Sequence, residues 1–196
     1  MKQKNRGIIY LLIIIAIIAI WGVGKYNGFV TADEQVSNSW SDVENQYQRR
    51  MDLIPNLVNT VKGYADFEQE TLTQVIEARA KASSVTVDPS NLTPEAIARF
   101  QAAQEELSGA LSRLLVTVER YPDLKANQSF LEFQAQLEGT ENRIAVERRK
   151  FNESVRSFNT SVRRFPARII ASLTNFEEKG YFEATEGADM VPEVQF

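Results

Sequence analysis

The sequence predicts an all-α membrane protein, with an N-terminal transmembrane helix followed by an elongated, antiparallel, up-and-down bundle of three to four long helices. Three observations carry this expectation. The chain opens on a long uncharged run, its later apolar residues recur in steps of three, four and seven, and short Pro- and Ser-bearing corners separate the periodic stretches.

Residues 1–7 form a basic tip carrying Lys2, Lys4 and Arg6, and residues 8–24 form the span. Ile8 to Val23 holds no charge; with its flanking Gly7 and Gly24 it makes 18 residues, or ~27 Å of helix against a ~30 Å hydrocarbon core. Tyr10 and Trp21 lie near its two ends, where amphipathic rings favour the membrane–water boundary. Three cations precede the span, and one lysine followed by Asp33 and Glu34 comes after it. The positive-inside rule therefore puts the N-terminus in the cytoplasm and the remaining domain outside it, so the bilayer is the first partner. The competing reading is a cleaved signal peptide with its site near Val30, Thr31 and Ala32. That site lies beyond Lys25, and the apolar run is long for a signal, so the anchor is the favoured reading.

The bundle is expected over residues 30–176. Val36, Trp40, Val43, Tyr47, Met51, Ile54, Val58, Val61, Ala65, Leu72 and Val75 keep helical spacing, with Pro55 in their midst. Either one kinked helix runs over about 30–82, or two helices meet at 52–55; Leu53 and Ile54 are poor turn formers, which favours the kinked helix. A loop follows around Ser83, Asp88, Pro89 and Asn91. Thr93-Pro94 then starts a helix through Ile97, Phe100, Gln104, Leu107, Leu111, Leu114, Val118 and Tyr121, and Pro122-Asp123 makes its corner. In 126–165, Phe130, Leu137, Ile144, Phe151, Phe158 and Phe165 recur every seventh residue. Ser129 with Glu132 has capping-box spacing at its start, and Pro166 limits its end. A short helix is expected over 168–176, then an acidic extension over 177–196 that packs on the bundle or stays extended.

The chain has neither His nor Cys. That excludes Ser–His–Asp and Cys–His machinery, disulfides, thiolate nucleophiles and the usual zinc sites; any metal would be a hard, oxygen-bound ion. The nine glycines form no Walker loop, dinucleotide fingerprint or nucleophile elbow. No catalytic residue, metal or cofactor is expected. Without the tip, 19 basic residues face 26 acidic ones, which argues against nucleic acid as a partner.

Two groups of polar residues stand out. Glu141 and Arg148 fall on the apolar seam of the long helix, where buried charges must pair, and Asn142, Asn152 and Asn159 extend that candidate network. Fixing helix register is the favoured role, with a polar pocket for a ligand or substrate as the rival. Glu44, Arg49, Arg50, Asp52, Pro55 and Asn56 gather around the proline, either as a salt-bridged hinge or as a recognition patch. The expected function is a membrane-anchored, non-enzymatic scaffold that binds a membrane-protein partner or further copies of itself. A membrane-shaping coat formed by lateral assembly is the third possibility.

Several blocks carry a resemblance. WSDVENQYQRR (40–50), DLIPNLV (52–58), VKGY (61–64), ARA (78–80), ERYPDLK (119–125) and GTENRI (139–144) resemble the LemA family of bacterial membrane-anchored proteins. Phe151-Asn152, Asn159, Phe165-Pro166, Pro192, Val194 and Phe196 continue the pattern. Phe151 stands where the family leads one to expect tyrosine, and Phe67 where a histidine before Glu68 is common. The resemblance implies a long helical bundle behind a transmembrane helix, placed in the bacterial cytoplasmic membrane. It implies no particular biochemical activity.

Overall fold

The computed structural model describes residues 2–64 and 68–183. The expectations attached to Ala65, Phe67, Pro192, Val194, Phe196 and the acidic extension beyond residue 183, and to the side chains of Lys2, Lys4 and Arg6, lie outside the described residues.

Helix α1 runs unbroken from Lys2 to Lys62, which is ~92 Å at 1.5 Å per residue. Its first portion is long and apolar enough to cross a membrane, with a mean hydropathy of 2.7 and none of that stretch buried in the protein. The same helix then buries one stripe, Phe29, Val36, Trp40, Val43, Tyr47, Ile54, Leu57 and Val61. Pro55 lies inside the helix on its solvent face. An outward-facing ring disturbs no core contact, so only the lost hydrogen bond and the backbone clash oppose continuation.

The continuous helix does not reach residue 82. It stops at Lys62, where Gly63 N–H bonds Thr60 O at 3.3 Å and Tyr64 N–H bonds Val61 O at 3.0 Å, and α2 spans Gln69–Ser84. Leu72 and Val75 continue the stripe in register because both helices face one core; periodicity alone does not register the reversal. Helix α3 (Pro94–Val118) runs antiparallel to α2, with Gln74 opposite Arg113 and Lys81 opposite Glu106. The Thr93 hydroxyl caps α3 by accepting from Ala96 N–H at 3.2 Å.

After the four-residue turn of α4 (Pro122–Lys125), α5 extends from Gln128 to Arg163. Its cap is Asn127 rather than Ser129: Asn127 Oδ1 accepts from Phe130 N–H at 3.1 Å, which leaves Ser129 inside the first turn. Helix α5 lies antiparallel along α1. As the position climbs from Ser39 to Arg50 in α1 and on to Tyr64 just past its end, the hydrogen-bonded partner in α5 or its cap falls from Ser154 to Glu141 to Asn127.

The chain turns at Phe165-Pro166 into the short α6 (Ala167–Leu173), which ends three residues before the expected limit. Asn175, at φ 56°, sits in the left-handed region that Asn tolerates. Residues 177–183 then run back along the bundle without helix or strand. The heptad positions Phe130, Leu137, Ile144, Phe151 and Phe158 are buried, but Phe165 lies beyond the end of α5 and is 82% exposed.

Two apolar clusters fill the interior. The distal one unites Ile54, Leu57, Val61, Leu72, Val75, Leu107, Leu111, Leu114, Phe130 and Phe133. The membrane-proximal one is aromatic: Trp40 stacks on Phe182 at 6.0 Å and meets Phe100 and Phe151 edge-on at 5.1 and 5.6 Å. Edge-on pairs of this kind add roughly 0.5–1.5 kcal/mol each beyond burial.

Candidate functional site

Around the proline, successive residues of α1 point about 100° apart, so the helix splits what the sequence gathers. Glu44, Arg49, Asp52, Pro55 and Asn56 lie exposed on the outer face, where Gln48 Nε2 donates to Asp52 Oδ1 at 2.8 Å. Arg50 turns inward and is 1% exposed.

The Arg50 guanidinium lies at the junction of the two apolar clusters. Its Nη1 donates to Glu141 Oε1 at 2.8 Å and to Ser108 Oγ at 2.7 Å. Its Nη2 donates to the side-chain oxygen of Gln104 at 2.6 Å and to the Gln104 carbonyl at 3.1 Å. The cation also lies 5.1 Å from the centre of the Tyr47 ring. Three helices thus close on one cation. Burial raises the Tyr47 hydroxyl above its ordinary pKa of 10.0; Arg148 and Arg50 pull it back, and Glu141 and Glu105 push it further up.

Glu141 and Arg148 do not pair with each other. Arg148 instead donates from Nη2 to the Glu183 carbonyl at 2.8 Å, its guanidinium 4.7 Å from the centre of the Phe182 ring. Asn142 is exposed and joins neither group. The two remaining asparagines, one heptad apart on α5, grip the main chain of the returning segment. Asn159 donates to the Lys179 carbonyl and accepts from Lys179 N–H, both at 2.9 Å; Asn152 does the same with Phe182, again both at 2.9 Å. Each amide matches one donor and one acceptor, as a neighbouring strand would.

The other wall of this groove escaped the sequence reading. Gln101 on α3 accepts from Glu183 N–H at 3.0 Å, and Gly180 N–H bonds the Leu92 carbonyl at 2.9 Å. A Cβ on Gly180 would stand 2.6 Å from Pro94 Cα, so only glycine fits there. Lys179 pairs with Asp33 of α1 at 2.6 Å. Gln101 and Gln104 offered one signal, since they are polar residues that fall on or beside the apolar face of α3. Lys179 and Gly180 offered none, because their partners are remote in sequence.

Two of the surface clefts that adjoin these contacts border Asn159 and Glu141. One of about 390 Å³ runs beside the returning segment, between Ala98, Gln101, Asn159 and Tyr181. The other, about 350 Å³, is lined by Ser108, Leu111, Gln134 and Glu141, and does not include Arg148. Among the described residues no three Asp or Glu side chains gather as a metal site.

Residues 39–196 match the LemA family. The chain belongs to the LemA family. It is 26% identical over 184 residues to Protein LemA of Metamycoplasma hominis, a match covering 94% of this chain and 80% of that protein. It is also similar to Magnetosome protein MamQ of Magnetospirillum gryphiswaldense, at 24% identity over 212 residues, covering 96% of this chain and 77% of the relative. Magnetosome protein MamQ 2 of Paramagnetospirillum magneticum gives 23% over 210 residues with the same coverage. This LemA-family chain is thus a membrane-associated helical protein with one candidate span among the described residues, and the ARA block at 78–80 contains a side chain, Arg79, that meets the proline-bearing helix.

Proposed function

We propose that this protein is a non-enzymatic, membrane-anchored scaffold, whose bundle stands on the extracytoplasmic side and binds other proteins or further copies of itself. The observation that carries this reading is where the interior polar groups go. Arg50, Glu141, Arg148, Asn152 and Asn159 are engaged with one another's helices or with the chain's own backbone, and Glu141 and Asn159 border separate clefts rather than one shared cavity. What remains outward on α1 is a polar stripe through Asn45, Gln48, Arg49, Asp52 and Asn56 at the proline, a face available to partners. Unbroken helix between span and bundle supports the anchoring role, because it holds that face at a fixed height. The Lys2, Lys4 and Arg6 tip supports a cytoplasmic N-terminus.

Photo-crosslinking from Arg49 and Asp52 in cells, together with sizing in mild detergent, tests the proposal. Adducts to another protein or to a second copy, lost when the probe moves to buried Leu107, are the expected result. A strictly monomeric protein that forms no adduct from either position overturns it.

A further inference from the structure

We propose that the elbow at 163–173 is a second membrane contact, a foot that seats its apolar tips in the bilayer interface and its arginines on anionic lipid headgroups. The placement begins with α1. Gly22 lies within the apolar run, and a Cβ built there would stand 3.6 Å from Ile170 Cδ1 of α6. Phe176 extends the contact one turn further along, 5.8 Å from the Tyr26 ring and 5.5 Å from Phe29. Helix α6 is therefore fastened to α1 at the level where the hydrocarbon-compatible residues end. Once the span is embedded, the elbow has to lie at the lipid boundary.

The chemistry of its free face suits that position. Phe165 is 82% exposed, Ile169 53% and Leu173 76%. Ile169 and Leu173 are four apart and share one side of α6. Large apolar side chains so bare to water in one short segment mark an unfilled contact. Arg163, Arg164 and Arg168 are exposed around them, and of these Arg163 is shared with Glu178 at 3.5 Å. Apolar tips ringed by guanidinium groups fit acyl chains below and phosphate above. Trp21 and Tyr26 on α1, at the same height, are residue types that favour this layer. The partner is thus the bilayer that already holds α1, with anionic headgroups preferred.

The absence of native cysteine lets single cysteines report position without background. Full-length Phe165→Cys and Leu173→Cys would be labelled with an environment-sensitive fluorophore and reconstituted beside Val23→Cys and Val116→Cys. Vesicles are phosphatidylcholine alone or with phosphatidylglycerol, doped with lipid carrying a nitroxide at the headgroup boundary. Labels at 165 and 173 should shift to the blue and be quenched like the label at 23, while the label at 116 on α3 stays unquenched. Quenching at 165 and 173 no greater than at 116, with 23 quenched, overturns the foot. Phosphatidylglycerol should deepen quenching at 173, and Arg164→Gln with Arg168→Gln should abolish that increment while leaving the phosphatidylcholine value alone. An increment that survives both substitutions overturns the headgroup assignment.

Discussion

Arg79 Nε donates to the Met51 carbonyl at 3.0 Å, and Met51 is the residue four before Pro55. This is the acceptor that proline, lacking an N–H, leaves unpaired in α1. An arginine from α2 thereby supplies what the interrupted ladder lacks, and joins α1 to the neighbouring helix. Arg79→Ala should destabilise the protein by about 1.5–3 kcal/mol, the range for a hydrogen bond from a charged donor. In a Pro55→Ala background, where residue 55 again reaches Met51, the same change should cost less than half as much. Thermal melts of the four proteins in one detergent check this, and equal losses in both backgrounds contradict it.

The Arg50–Glu141 pair is lopsided, because the arginine side chain is 2% exposed and the glutamate 41%. Removing the carboxylate leaves a cation inside the bundle; removing the cation leaves a carboxylate that water can reach. Glu141→Ala should therefore cost about 3–5 kcal/mol, and Arg50→Met at least ~1 kcal/mol less. Denaturant midpoints measured side by side give the order, and the reverse order would refute this account of the pair.

Asn152 and Asn159 hold one segment at two points. Each alanine substitution should cost about 1–3 kcal/mol through backbone groups left unpaired. The double variant should fall short of the sum, because a segment released at one point has less to lose at the other. Proteolysis within 176–183 should rise in all three proteins. Full additivity would mean that the two grips are independent.

The Tyr47 hydroxyl has its pKa raised by burial, so the unfolded chain releases this proton first as the pH climbs. Its contribution to stability is complete below pH 10.0, the ordinary value, and is lost as the pH rises through the higher folded value. Tyr47→Phe should flatten part of the fall in melting temperature above pH 10 without changing the slope at neutral pH. An unchanged alkaline slope would contradict the assignment.

How much of this was readable beforehand divides along physical lines. Helices, the span and the aromatic seam follow from local periodicity, which Trp40, Ile97 and Phe151 display within a few turns of themselves. The corner at Gly63-Tyr64 was hidden because the apolar stripe resumes in phase on the other side of it. The pattern singles out Glu141, Asn152 and Asn159 as polar residues on an apolar helix, but it does not name their partners. Arg50 meets Glu141 across 91 positions, and Gln101 meets Glu183 across 82. Pairings at such separations depend on how the helices return, which a one-dimensional pattern does not encode. Phe165 repeats the heptad perfectly yet lies outside the bundle core, since Pro166 ends the helix before that position can turn inward.

Unbroken helix between lipid and bundle makes α1 a lever. From Gly24 to Lys62 its arm measures ~57 Å, so each ten degrees of span tilt sweeps the far tip sideways by ~10 Å. A thinner bilayer, which makes a span lean, would be felt at the tip as lateral displacement. Copies standing side by side would then change their spacing with the thickness of the lipid beneath them.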